Sequence, residues 1–282
     1  MPDLVMPPER RFGWALKPLS STRFEILTRP NGQLAVVFNH ALLRGVTAEM
    51  LRWWFQHFTT LRVRLKAVPG YEGKTVPAYL LWHPTDHVDA SLSGPLGPGG
   101  TPRAGATIHI REAMDVPRHG LRFPVDNRLG IFYVGDDGWA MGLQKPVIGR
   151  LMVLRIHFRD HVVEGRHLGV HYHYEVVVGT GLGGPLGRFI NARLGAHFGE
   201  AFFEAWHTHN TIEVGTFENF LPVLHAQRDR PEGLHYAPDM APTLPAEAQT
   251  AHDPALFERR VAGYRATDDA FAYQASEAAS FL

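Results

Sequence analysis

"AFFEAWHTHNTIEVGTFENF", residues 201–220, reads as the inner face of a helix that nevertheless carries a His and a Glu. Traced back towards the N-terminus, the apolar steps are Leu186, Ile190, Leu194, Phe198, Ala201 and Ala205. They continue through His209, Ile212, Thr216 and Phe220. Steps of three or four residues predict one long helix over 186–220 with a single stripe turned inward. His209 and Glu213 stand one turn apart on that stripe. His207 lies about 200° round the helix from His209, so the two cannot share an ion.

Before this helix the pattern is of strands. "ATIHIRE", "GIFYVG", "WAMGLQ", "LMVLRIHF" and "HLGVHYHYEVVV" follow one another between 106 and 178, separated by turns such as "GDDG" and "FRDH". The spacing leaves no room for crossover helices, which predicts an antiparallel sheet. In the last strand His171, His173 and Glu175 share one face, and Val170, Tyr172, Tyr174 and Val176 the other. Strands followed by one late helix predict an α+β fold, a curved antiparallel sheet packed on the helix. A helix over 46–58 is capped by Thr47, "VPAYLLW" reads as a strand ending at Trp82, and 91–105 is a Gly/Pro loop. Residues 1–33, rich in Pro and Arg, predict a surface arm. Residues 34–226 form the domain, and 227–282 a tail wrapped on it with one helix at 254–266. Arm and tail are also candidates for mediating a homodimer.

"VVVGTGLGGPLGRFI" contains G-x-G-x-x-G at Gly179, Gly181 and Gly184. A dinucleotide site needs a parallel strand soon after the helix. Here the sequence stays helical, so the glycines predict a tight strand-to-helix turn and no cofactor binding.

Lys+Arg and Asp+Glu balance at 28 each, which leaves no basic field for nucleic acid or anionic lipid. No window approaches the ~18 apolar residues of a membrane span, and the N-terminus has no apolar signal core. A cytoplasmic location is expected. The chain has no Cys, which excludes thiolate nucleophiles, iron–sulfur clusters and therefore a Rieske-type cluster domain. Any metal must be held by nitrogen and oxygen. The 17 His residues supply the nitrogen.

A carboxylate buried on a helix stripe is costly unless a cation partners it, and Glu213 beside His209 is such a carboxylate. "WHPTDH" offers His83 and His87 at a Pro-fixed turn. In "TIHIRE" Glu112 falls on the same side as Ile108 and Ile110, the inner face by alternation. Two imidazoles and two carboxylates would then face a cavity between sheet and helix.

These residues, "WHPTDH", "IHIRE" and "HNTIEVGTFENFLP", resemble the 2,4-diacetylphloroglucinol hydrolases and phloretin hydrolases, over about 35–222. The resemblance implies a Bet v1-like helix-grip domain around one Zn2+ per chain. It implies hydrolysis of the carbon–carbon bond between an acyl group and a polyhydroxylated ring, the substrate being a small aromatic ketone. Carried over, the metal ligands are His83, Glu112, His209 and Glu213. Asp86 stands where the family has an Asn on the ring hydroxyls. The nearest candidates for substrate-contacting tyrosines are Tyr79, Tyr172 and Tyr174. His87 and His207 are candidates for a neighbouring base, and Trp53, Trp54 and Phe55 for core packing or a flat wall. The reaction requires protonation of the acyl-bearing ring carbon, which makes the ring a leaving group as a stabilised enolate. The alternative is a non-catalytic binder of phenolics or lipids on the same architecture.

Overall fold

The computed structural model describes residues 4–116, 121–146 and 149–243; the helix expected at 254–266 lies outside them. The alternating segments between 87 and 178 form consecutive antiparallel strands: β5 (His87–Ser93), β6 (Thr107–Val116), β7 (Leu121–Gly135), β8 (Gly138–Lys145), β9 (Gly149–Val163) and β10 (Arg166–Val178). A hairpin from the N-terminal region, β1 (Thr22–Thr28) and β2 (Leu34–His40), adds β2 to the free edge of β10. The eight-stranded sheet therefore runs β1-β2-β10-β9-β8-β7-β6-β5. Its tight turns follow local chemistry. Glu164 and Gly165 both take positive φ (49° and 75°) between β9 and β10, the pairing that matches strand twist in a two-residue hairpin. Tyr172, Tyr174, Val176 and Val178 of β10 are buried in the core, as alternation requires.

The α+β layout is present, but the Bet v1-like helix-grip arrangement is not what the chain forms. The sheet is open, with β1 and β5 at opposite ends of the strand order. The single helix expected over 186–220 is two helices, α3 (Gly184–Gly195) and α4 (Glu200–His225). Gly195 and Gly199 flank the break, where backbone freedom disfavours helix. The inward stripe accordingly belongs to α4, whereas Leu186 and Phe189 on α3 are 66% and 60% exposed. "YLLW", expected as strand, is the short α2 (Tyr79–Trp82). A continuous apolar run carries no period to separate the two. The stretch 1–33, expected as a surface arm, holds β1 and also buries Arg10 and Phe12.

Helix α1 (Ala48–His57) is capped by Thr47, whose hydroxyl accepts the Met50 N–H at 3.2 Å. It packs with α2 and α4 through an aromatic cluster, Trp54 against Phe220 (5.0 Å) and Trp82 against Phe217 (5.3 Å), each pair contributing about 0.5–1.5 kcal/mol beyond area burial. A second sheet, β11 (Leu234–Tyr236), β3 (Arg62–Leu65) and β4 (Thr75–Pro77), flanks this cluster. The N-terminal segment is tied to α4 by a buried ion pair, Lys17 Nζ to Glu218 Oε1 at 2.6 Å.

The glycine-rich turn is filled by the chain's own side chain. Asn191 accepts the Thr180 N–H at 2.6 Å and donates to the carbonyls of Asn31 and Thr180. Gly179 has φ 124°, and a Cβ there would stand 2.8 Å from Asn191 Oδ1. Among the described residues no helix is long and apolar enough to cross a membrane.

Candidate metal centre

Three elements bring the site together. The α2–β5 turn carries His83, Asp86 and His87, β6 carries Glu112, and α4 carries His209 and Glu213. His87 and Glu112 are direct register partners, with an irregularity between His87 and Asp89 that re-aims the strand end. Strand pairing thus sets His87 Nε2 3.6 Å from Glu112 Oε2. Helix α4 is fixed over the turn by Thr216, whose hydroxyl bonds the Trp82 carbonyl at 2.7 Å. His209 Nε2 then lies 3.5 Å from Glu213 Oε2 and 3.9 Å from Glu112 Oε2.

Ring-nitrogen roles separate the two histidines of the turn. His87 Nδ1 is 3.0 Å from the Tyr79 carbonyl, so this nitrogen carries the proton and Nε2 presents a lone pair. That Nε2 is buried and has no hydrogen-bond partner. His83 Nε2 is likewise buried and without a hydrogen-bond partner, but its tautomer is the opposite one. Its Nδ1 accepts the backbone N–H groups of Asp86 (3.0 Å) and Thr85 (3.3 Å), which places its proton on Nε2, facing Asp86 Oδ2 at 3.5 Å. In this tautomer His83 has no lone pair to give an ion through Nε2.

Two clusters of potential ligands share His209: His83, Asp86 and His209, and His87, Glu112 and His209. These buried groups can hold a metal ion, and bond lengths discriminate between them. Donors about 2.0–2.2 Å from a tetrahedral zinc stand about 3.3–3.6 Å from each other. Within the His87, Glu112 and His209 group the contacts are 3.6 and 3.9 Å, close to that edge; Glu213 stands 3.5 Å from His209 Nε2 but outside that group. His209 Nδ1 to Asp86 Oδ2 is 2.9 Å, a hydrogen-bond length. Asp86 therefore orients His209 from behind, a carboxylate–imidazole pairing that fixes the tautomer of a ligating His. Its other oxygen accepts the Thr85 hydroxyl at 2.7 Å, and His83 stacks on His209 at 4.7 Å.

Sequence reasoning missed Arg10. Its guanidinium is buried and donates to the carbonyls of His83 (2.6 Å) and His87 (3.4 Å), while its N–H bonds the Pro84 carbonyl. No local signal links residues so far apart in the chain. His207 is not in the cluster; it stacks on Phe24 and lies 3.2 Å from the Thr22 carbonyl.

A cavity of about 360 Å³ has Tyr79, Glu112, His209 and Glu213 in its lining. Tyr79 donates its phenolic proton to Glu112 at 2.8 Å and stacks flat on His87 at 3.9 Å. Burial, reinforced by Glu112 and Glu213, pushes Tyr79 and Tyr174 well above the ordinary phenol range, so both stay protonated. Burial with Glu213 does the same to Tyr172. Burial holds His83 and His87 well below the usual imidazole range. His209 goes the other way: burial opposes its charge, but Glu112, Asp86 and Glu213 outweigh it. The Glu112 carboxyl is raised by burial, against the pull of His209.

No protein-family model matches the chain, and no curated protein matches it at a significant level. Among solved structures it is similar to a Staphylococcus aureus protein of unknown function, at 10% identity and a TM-score of 0.31, over 70% of this chain and 96% of that one. So distant a likeness leaves the reading of the site to its own chemistry.

Proposed function

We propose that the protein is a zinc-dependent hydrolase that splits the carbon–carbon bond between an acyl group and a polyhydroxylated aromatic ring. The observation that carries this reading is the buried, unpartnered Nε2 of His87 grouped with Glu112 and His209, beside an aromatic cavity that Glu112, His209 and Glu213 line. The sequence resemblance to acylphloroglucinol and phloretin hydrolases supplies the reaction class. Zinc held by these four residues would supply Lewis acidity towards the acyl oxygen and a more acidic bound water.

The remaining work falls to the chain's own groups. Trp82, Trp139 and Trp206 line the cavity and give a phenolic ring flat apolar walls. The oxygen of Tyr174 accepts a hydrogen bond from Trp206, which leaves its own proton to donate into the cavity. Held neutral by burial, Tyr174 is our candidate for the donor to the substrate's ring. Asp86 is taken up by His209 and Thr85, so its role is to position His209 and not to read ring hydroxyls. His83 stands behind it in the same role, and His87 replaces His83 in the ligand set.

Elemental analysis of the purified protein, followed by assay of acid release from acylphloroglucinols and phloretin, tests the reading. About one zinc per chain and stoichiometric carboxylic acid are expected, both falling in Glu213→Gln. Metal-free protein that retains full turnover would overturn it. Metal-free protein that binds the phenols without cleaving them would make it a binder.

A further inference from the structure

The polar groups that line the cavity are mostly committed to one another. Tyr79 donates to Glu112, His209 is held by Asp86, and Trp206 donates to Tyr174. Asp126 is taken by His109 at 2.6 Å. Asn127 is the exception. It lines the cavity with Val125 and Leu129, on the inner face of β7 by alternation, and is half-buried. No side chain or backbone group among the described residues hydrogen-bonds its amide. An amide set among apolar neighbours is costly unless something bonds it. Register fixes its place relative to the metal centre. Asn127 stands opposite Ile110, and Val125 opposite Glu112, so Asn127 and Glu112 are diagonal neighbours about 7–8 Å apart on one face. A ring seated against Glu112 can therefore reach the Asn127 amide.

Resting on the hydrolase reading above, we propose that Asn127 donates an amide N–H to the ring oxygen on which charge gathers as the carbon–carbon bond breaks. Protonation of the acyl-bearing ring carbon turns the adjacent ring hydroxyl into a carbonyl, and that hydroxyl's proton is released. Water adds to the acyl carbon and gives up one proton. The bond from that carbon to the ring then breaks, and its electron pair passes through the ring carbon to the adjacent oxygen. A carboxylic acid and an enolate result, and a proton on the enolate oxygen restores the phenol. A donor fixed beside this oxygen acts most strongly in the transition state, where the charge develops. An amide donates without carrying a charge, whereas an ionised carboxylate could only accept.

The test uses the zinc-loaded full chain and Asn127→Leu, with Asn127→Ala in its place where the leucine variant does not fold. On phloretin kcat falls about 10²–10³-fold, with KM nearly unchanged and zinc content kept. A kcat equal to the parent's, or a loss of zinc in step with turnover, overturns the proposal. Phloroglucinol, the ring without an acyl group, is titrated with pH in parallel, and its ultraviolet difference spectrum reads the ionised fraction of the bound ring. Ionisation falls about one to two pH units lower in the parent than in Asn127→Leu; equal values count against the assignment. If this shift is found while no ketone is hydrolysed, the ring-oxygen contact holds and the hydrolase reading fails. If ketones are hydrolysed and Asn127→Leu matches the parent in both measurements, the hydrolase reading holds and the Asn127 assignment fails.

Discussion

Exchanging His87 and His83 for Gln, one at a time, separates a ligand from a residue that holds a ligand in place. Structural zinc sites bind with about 10–16 kcal/mol, which over four ligands is about 3 kcal/mol each, or roughly 150-fold in affinity. His87→Gln removes the only lone pair that the α2–β5 turn aims at Glu112, so a loss of that size is expected. His83 reaches Asp86 across 3.5 Å, a distance at which a hydrogen bond is weak. His83→Gln should cost no more than about 1 kcal/mol, roughly fivefold. Asp86→Asn falls between them. It keeps an acceptor for His209 but loses the charge, and such outer partners are worth about 10–100-fold. Zinc affinity is read by competition with a chromophoric chelator at fixed pH. The ordering His87, then Asp86, then His83 follows from the ring-nitrogen assignments alone. A larger loss from His83→Gln than from His87→Gln would refute them and return His83 to the ligand set.

Lys17→Met strips Glu218 of its buried partner, leaving only the Arg44 N–H at 2.7 Å; urea unfolding should show a loss of about 3 kcal/mol, and no loss would mean that the pair is solvated. Burial depresses His173 from 6.5 to about 4, so in that window the unfolded chain binds more protons than the folded one. The stabilising contribution is complete above about pH 6.5 and is lost as pH falls through 4, by at most about 3 kcal/mol. His173→Gln should flatten the slope between pH 7 and pH 4, and identical slopes would assign it to other groups. In metal-free protein, replacing Glu112 by Met and Glu213 by Leu should be neutral or raise stability by about 1–4 kcal/mol while abolishing zinc binding. Marked destabilisation would mark the cluster as structural.

The parts of the site that repeat along one element were legible in the sequence. Glu112 follows from alternation with Ile108 and Ile110, and all three line the cavity. His209 and Glu213 follow from helical spacing, and their facing nitrogen and oxygen are 3.5 Å apart. What depends on two elements meeting was not legible. Whether His83 or His87 offers its lone pair is decided by which ring nitrogen faces backbone amides, and no pattern of residue types encodes that. The pairing of His87 with Glu112 needs the register of β5 on β6, and Arg10 needs a contact across 73 residues. The break between α3 and α4 was marked by Gly195 and Gly199, but the apolar stepping continued through them and masked the signal. The open sheet follows from where the β1–β2 hairpin docks, which local sequence does not specify.

The charges around the turn bear on which ion the site can take. Asp86, Glu112 and Glu213 bring three carboxylates into one buried region, and among the described residues Arg10 is the guanidinium that reaches its turn. An isolated buried charge costs several kcal/mol, so the shell is stable only near neutrality. Arg10 offsets one carboxylate. A divalent cation offsets the other two, whereas a monovalent ion leaves one charge unpaired. In the metal-free state protons take the same role. His209 is held charged by Glu112, Asp86 and Glu213, and burial raises the Glu112 carboxyl. A proton on His209 and a divalent ion are thus alternative sources of positive charge for the same shell. Metal capture exchanges one for the other, so affinity strengthens as pH rises. An apolar core would need neither, and a surface ion pair would be neutralised by water. A divalent ion held by this cluster would stand beside a cavity of about 360 Å³.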